Sequence, residues 1–196
     1  MINTIIFDFG GVLGSDSDTI FFKVLIRNRI SKAKASKIWN EHWPKLKIGE
    51  EHVDSIWNSV EGCTNVNIDK IIREYDKSIS INYEVLALCK SLKQKGYKLG
   101  ILANESSYWM DIKRRKGRLE EIFDVVYSSA DINCPKPVKE SYERILAELD
   151  SKPTETLFVD NMERNIKAAK SLGIKSILYK DINYLRRRLK DVLSNF

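Results

Sequence analysis

The sequence predicts an α/β protein, a parallel sheet between two layers of helices with a small helical bundle inserted after the first strand. Three observations carry that expectation. Short apolar runs of strand character recur at Thr4–Phe7, Lys98–Ala103, Val125–Ser128, Thr156–Val159 and Lys175–Tyr179. Between the later runs, apolar residues fall at i, i+3, i+4 and i+7, as Val85, Leu88, Cys89 and Leu92 do, which gives a helix one core-facing stripe. From residue 15 to 80 the strand signal is missing and the pattern is helical. Strands alternating with helices of about 10 to 15 residues imply right-handed parallel crossovers and a three-layer, Rossmann-like core. The expected division is a core of residues 1–14 and 81–196 and a bundle of residues 15–80. A chain of 196 residues, 43% apolar, can bury a substantial interior.

In chain order, Thr4 to Phe7 are all β-branched or apolar, the mark of a strand buried on both faces. That strand delivers Asp8 at its C-terminal edge, and Gly10 and Gly11 then turn the chain. Ligands of open α/β sheets collect outside the carboxyl ends of strands. Asp8 is therefore a site candidate, with turn capping as the alternative. Gly14-Ser15-Asp16-Ser17 reads as a linker. In the bundle, Ile20, Phe21, Val24 and Leu25 share a face, and Ser31 N-caps a helix reaching Trp43. Pro44 ends or kinks that helix. Further helices are expected over Glu50–Val60 and Ile68–Lys77. Trp39, Trp43 and Trp57 read as bundle core that can also present a face to the site. His42 and His52 lack the spacing of metal ligands.

The core resumes with a helix from Asn82, closed by Gly96. The strand Lys98–Ala103 ends at Asn104-Glu105-Ser106-Ser107, and a helical stretch runs on to about Ile122. Two prolines brace Lys136 in the loop Cys134-Pro135-Lys136-Pro137. Tyr142, Ile145, Leu146 and Leu149 mark another helix. The strand Thr156–Val159 ends in Asp160-Asn161, a helix from Met162 is closed by Gly173, and a basic helix follows the last strand.

No apolar run approaches the roughly 20 residues of a membrane span, and the N-terminus has no export pattern. Cys63, Cys89 and Cys134 are too scattered for a metal site or a disulfide framework. A cytoplasmic protein with no membrane partner is expected. The net charge of +6 gathers in Lys113–Arg118 and Arg186–Arg188. Neither run is interleaved with aromatics, so both read as solvated helix faces and no nucleic-acid partner is expected. The charge can instead steer an anionic substrate.

Two strands end in acids, Asp8 and Asp160, a third ends in Ala103-Asn104, and Lys136 lies between them in sequence. Brought together, two carboxylates with open positions suit a hard cation such as Mg²⁺. A lysine adds positive charge where a transferring phosphoryl group is negative, and a carboxylate can attack phosphorus.

On these residues the chain resembles the haloacid dehalogenase (HAD) superfamily of phosphatases, in the form with a helical cap after the first strand. Phe7-Asp8-Phe9-Gly10-Gly11-Val12-Leu13 matches the signature that carries the nucleophile. Leu102-Ala103-Asn104 stands where a hydroxyl residue precedes an Asn. Lys136-Pro137 matches the lysine signature, and Val159-Asp160-Asn161, with Asn165 and Gly173, the acidic one. The resemblance implies a Mg²⁺-dependent hydrolase of a small phosphorylated metabolite, working through an aspartyl-phosphate. Asp8 would be nucleophile and metal ligand. Asp160, the Gly10 carbonyl and Asn161 would complete the metal site. Lys136 would hold the phosphoryl oxygens, and Asn104, beside Ala103, would help cradle them.

Three departures from the pattern matter. Gly10 replaces the Asp that acts as general acid and base, a group that contributes about 10²–10⁴-fold in rate. Ala103 removes a hydroxyl donor, and Asn161 replaces an acid. The expectation is a weakened phosphatase for substrates with good leaving groups, such as sugar 1-phosphates. The alternative is an impaired relative that binds a phosphorylated ligand or a protein partner. Asp16 and Asp18 are open as substitutes for the missing acid, with N-capping of the next helix as the favoured role.

Overall fold

A computed structural model describes residues 1–193, so residues 194–196 of the expected core lie outside the described residues. The strands are β1 (Thr4–Phe7), β2 (Lys98–Ala103), β3 (Val125–Ser128), β4 (Thr156–Asp160) and β5 (Lys175–Leu178). They form one parallel sheet in the order β3-β2-β1-β4-β5. β1 is central, with Ile6 in register with Gly100 on one side and Phe158 on the other. A strand covered on both faces has no polar side to show, which is why all four of its residues are buried.

The strand period of two divides the core. Ile5, Phe7, Leu99, Ile101, Leu157 and Val159 pack with α5 (Tyr83–Gln94) and α9 (Ile182–Val192) on one face. Ile6, Leu102 and Phe158 pack with α7 (Lys139–Glu148) and α8 (Glu163–Ser171) on the other. The result is the expected three-layer, Rossmann-like α/β architecture. Its strand order reverses at β1, so the crevice at the carboxyl ends of β1, β2 and β4 is the place for a ligand.

Between β1 and α5 the chain forms α1 (Ser17–Arg27), α2 (Lys32–Leu46), α3 (Asp54–Glu61) and α4 (Ile68–Ser78). Their apolar faces close on one another around Phe21, Trp39, Trp57 and Tyr75. Trp109 and Ile112 of α6 (Ser107–Gly117) join the same cluster, so an element of the sheet domain supplies part of the bundle's interior. The chain leaves the sheet and returns through paired backbone. Ser15 N–H donates to Ser80 O at 3.1 Å, and Asn82 N–H to Leu13 O at 2.8 Å.

Three local expectations need correction. α2 does not stop at Pro44 but runs to Leu46. The proline lies in the last turn, where it removes one i→i−4 bond, and Lys47 N–H still reaches Trp43 O at 3.1 Å. α3 begins at Asp54 rather than Glu50. The preceding turn is organised around the Glu51 carboxylate, which accepts from Lys45 at 2.7 Å and Ser55 at 2.9 Å and pairs with His42 at 2.8 Å. Finally, Lys113–Arg118 is not wholly a solvated face. Lys113 is 1% exposed and ion-paired to Glu105, and Arg114 bridges to Asp131 at 2.6 Å.

Candidate active site

Each sheet-edge residue reaches the crevice because its strand ends there. Asp8 follows β1, its N–H still in the ladder to Val159 O at 2.8 Å. Asp160 closes β4, and Ala103 closes β2 just before Asn104. Lys136 arrives from the loop after β3. Its backbone is clamped by Asn104, whose Oδ1 accepts the Lys136 N–H at 2.7 Å and whose Nδ2 donates to the Lys136 carbonyl at 2.8 Å. Asn104 is thus a positioning residue for the lysine.

Lys136 Nζ, 3% exposed as a residue, donates to Asp8 Oδ1 and to Asp160 Oδ2, each at 2.8 Å. Asp8 Oδ1 also accepts the Phe9 N–H at 2.7 Å. Both bonds fall on one oxygen, and Oδ2 receives none from the described residues. Asp160 is bonded on both oxygens, with Met162 N–H on Oδ1 at 2.7 Å and Asn165 Nδ2 on Oδ2 at 2.9 Å beside Lys136, which leaves acceptor capacity on Oδ1. The two acids differ in consequence. Asp160 is held as an anchor, and Asp8 keeps an oxygen free to react.

Burial raises the Asp8 pKa to about 6, against the pull of Lys136 and with the help of the Asp160 charge. Burial works to lower the Lys136 pKa, but Asp8 and Asp160 outweigh it and keep the ammonium charged above the usual lysine range.

A cavity of about 270 Å³ opens above these groups. Asp8, Gly10, Asn104, Lys136 and Asn161 form its floor, and Trp39, Trp43 and Lys47 of the bundle its roof. The tryptophans serve both readings. Trp39 is 7% exposed and packs in the bundle, yet it stacks on Trp43 at 4.7 Å and both rings line the cavity. The histidines stay out of it, His42 bonded to Glu51 and Ser59 and His52 to Asp54.

The donor set fits a hard cation. Asp8 and Asp160 supply carboxylates, Asn161 an amide oxygen and Gly10 a main-chain carbonyl. The backbone bonds that close the turn run from Gly14 N–H to Phe9 O and from Gly11 N–H to Gly14 O, and the Gly10 carbonyl takes no hydrogen bond from the described residues. No group of three or more His, Cys, Asp or Glu among the described residues could hold a metal. A cation here must take carbonyl, water and phosphate oxygens, the habit of Mg²⁺ rather than Zn²⁺.

Three residues of the region escaped the sequence reading. Glu105 Oε2 accepts Ser17 Oγ at 2.5 Å and the Lys113 ammonium, which also donates to Ser17 Oγ at 3.1 Å. This buried network ties the first residue of α1 to α6. Lys113 was hidden by its basic neighbours, and only the amphipathic phase of α6 could have singled it out. Asp16 and Asp18 both line the cavity. Asp18 is exposed and accepts the Thr19 N–H at 2.6 Å. Asp16 stands at the N-cap position of α1, but its side chain takes no capping bond. The capping role expected for Asp16 is therefore not the one it plays. Burial, followed by the Asp18 charge, raises its pKa.

The profile of the haloacid dehalogenase-like hydrolase family matches residues 5–179. The chain is 28% identical over 183 residues to the pyrophosphatase PpaX of Bacillus thuringiensis, covering 89% of this chain and 82% of that protein. A HAD family enzyme of Bacteroides thetaiotaomicron, solved with magnesium and inorganic phosphate, superposes with a TM-score of 0.75 at 21% identity, over 94% of this chain and 99% of that one. The L-2-haloacid dehalogenase of Xanthobacter autotrophicus gives a TM-score of 0.63 at 19% identity, over 98% and 84%. At these identities the two structures speak for the fold alone.

Proposed function

Because the chain belongs to the haloacid dehalogenase-like hydrolase family, we propose that it is a cytoplasmic Mg²⁺-dependent phosphatase of a small phosphorylated metabolite. Residues 15–80 act as its cap and residues 1–14 and 81–196 as its catalytic core. The observation that carries the reading is Lys136 Nζ held at 2.8 Å from both Asp8 and Asp160. A charged lysine between two acids at strand ends is of little use to a folding core, where such pairs rarely add net stability. It is what a phosphoryl group needs.

Asp8 Oδ2 attacks phosphorus as the ester P–O bond breaks, which leaves the phosphoryl group on Asp8. Water then attacks phosphorus, the bond to Asp8 breaks, and inorganic phosphate departs. Asp8, Asp160, Asn161 and the Gly10 carbonyl would hold Mg²⁺, which would supply positive charge to the phosphoryl group. Lys136 does the same from the protein side and orients Asp8. Ala103 offers no hydroxyl, so the backbone N–H of Asn104 carries more of the phosphate cradle. Trp39, Trp43 and Lys47 close over the rest of the substrate and select it. Gly10 carries no acid, so leaving groups that depart unprotonated are favoured on this floor alone, among them anomeric, acyl and aryl phosphates. Pyrophosphate belongs in the same set, in keeping with the name of the Bacillus relative.

The test is hydrolysis of a panel of phosphate esters and pyrophosphate with Mg²⁺, by the wild type and by Asp8→Asn. Loss of at least 10³-fold in the variant is expected. Equal rates in the two proteins would exclude Asp8 as nucleophile and leave a phosphate-binding protein.

A further inference from the structure

Gly10 has no side chain, yet the space that a side chain there would use holds a carboxylate. A Cβ built on Gly10 would meet Asp16 Oδ1 at 2.5 Å and Asp16 Cγ at 3.5 Å. In an aspartate, bonds of about 1.5 and 1.2 Å set each carboxylate oxygen about 2.4 Å from its own Cβ. Asp16 Oδ1 thus lies at the distance from residue 10 at which an acid on that residue would carry its own oxygen. The same contact explains the glycine, since any Cβ would displace Asp16.

A second observation is independent of that distance. Ser31, Asn67, Asn82, Ser106 and Asp181 each accept a backbone N–H at the start of their helices. Asp16 is the N-cap of α1 with the extended backbone suited to capping, φ −77° and ψ 136°, and accepts none. Aspartate at this position ordinarily bonds to an N–H of the first turn. Here the carboxylate lines the cavity with Asp8 and Lys136 instead. Its neighbours hold it there, Ser15 by its bond to Ser80 and Ser17 by its bond to Glu105.

We propose that Asp16 is the general acid and base of this enzyme, delivered from the mouth of the cap to the place that Gly10 leaves open. The proposal rests on the phosphatase reading and on Asp8 as nucleophile. In the first half-reaction Asp8 bonds to phosphorus, the ester P–O bond breaks, and the leaving oxygen takes the proton of the Asp16 carboxyl. In the second, a water oxygen bonds to phosphorus, the bond to Asp8 breaks, and the water proton returns to Asp16. With such a group in place, alkyl esters join the substrates that Gly10 alone would disfavour.

The experiment follows p-nitrophenyl phosphate and an alkyl phosphate, with Mg²⁺, in wild type, Asp16→Asn, Asp16→Ser and Asp8→Asn. The p-nitrophenolate leaves unprotonated, so the Asp16 variants should form the phosphoenzyme at a near-normal rate and hydrolyse it slowly. The expected result is a stoichiometric burst of p-nitrophenol absent from the wild type, with alkyl ester turnover down about 10²-fold or more. The burst also reports that the variant is folded. A further arm combines Gly10→Asp with Asp16→Ser, which returns an acid to residue 10 and vacates the space it needs. Alkyl ester turnover should recover at least tenfold over Asp16→Ser alone. No burst together with unchanged alkyl turnover in the Asp16 variants, while Asp8→Asn is dead, would overturn this proposal only. Full activity in Asp8→Asn would overturn the phosphatase reading beneath it.

Discussion

Lys136 and the two carboxylates it joins form a unit whose members cannot be changed singly. Removing the cation leaves Asp8 and Asp160 buried and facing each other. Lys136→Met should cost about 3–5 kcal/mol in urea unfolding at pH 8, the usual penalty for leaving a buried charge unpaired. The loss should shrink as the pH falls, because protonating a carboxylate relieves the repulsion. Asp8 sets a second pH effect with its own sign. On the proposed reading it attacks as the carboxylate, and burial raises its pKa to about 6. Therefore kcat/KM should fall as the pH drops through about 6. A bound cation favours the ionised form, so the acid limb should move to lower pH as Mg²⁺ is raised. Profiles at two Mg²⁺ concentrations check this, and a shift toward higher pH would contradict the assignment of Asp8 as a ligand. At this scale the sequence placed Asp8 and Asp160 at strand ends and Lys136 in a proline-braced loop, and the structure brings the three side chains together. For Asp16, six positions from Gly10, the sequence left the acid's role open and favoured capping, because no periodicity says that the start of a helix folds back over the turn before it.

Among the elements, α6 has the least predictable role. Its sequence, SYWMDIKRRKG, has low apolar content, yet Trp109 is 0% exposed and stacks on Tyr75 of α4 at 4.7 Å. Trp109→Ala should destabilise the protein by about 3–5 kcal/mol, the range for removing a buried aromatic. The ring also lies parallel to Trp39 at 6.1 Å. On the proposed reading the variant should therefore raise KM more than it lowers kcat, because Trp39 and Trp43 line the roof of the cavity. The ends of α2 and α3 were misjudged for reasons of the same kind. Pro44 is tolerated where little helix remains to lose, and Glu51 gathers three side-chain partners that no local propensity encodes. The strands were read almost residue for residue; for β1, β2 and β4 this is because burial on both faces leaves a nearly unbroken apolar run in the sequence.

Across the whole molecule, the core and the bundle share side chains as well as backbone. Trp109 and Ile112 are buried among bundle residues, and Lys113 and Glu105 fasten the first turn of α1. Unfolding should follow one transition, with tryptophan fluorescence and far-ultraviolet circular dichroism coincident in urea. Separate midpoints would show a bundle that melts alone. The parallel α/β class and the insertion were readable from alternation alone, since each crossover needs a strand and a helix in turn. The sharing between the two parts was not readable, because it depends on which face of α6 meets which neighbour.

The paired segments at residues 13–15 and 80–82 carry a consequence for descent. Ser15 and Ser80 are bonded to each other, and so are Leu13 and Asn82, so the backbone enters and leaves the bundle through one narrow neck. Ends that close can be rejoined by a tight loop or reopened to admit different material, without lengthening or shortening the strand behind them. If the bundle selects the substrate, as proposed, a lineage built this way can exchange that part and inherit the chemistry of the core. In this chain Asp16 sits at that neck, so on the proposed role for it any such exchange that reaches Asp16 would also have to return an acid to residue 10.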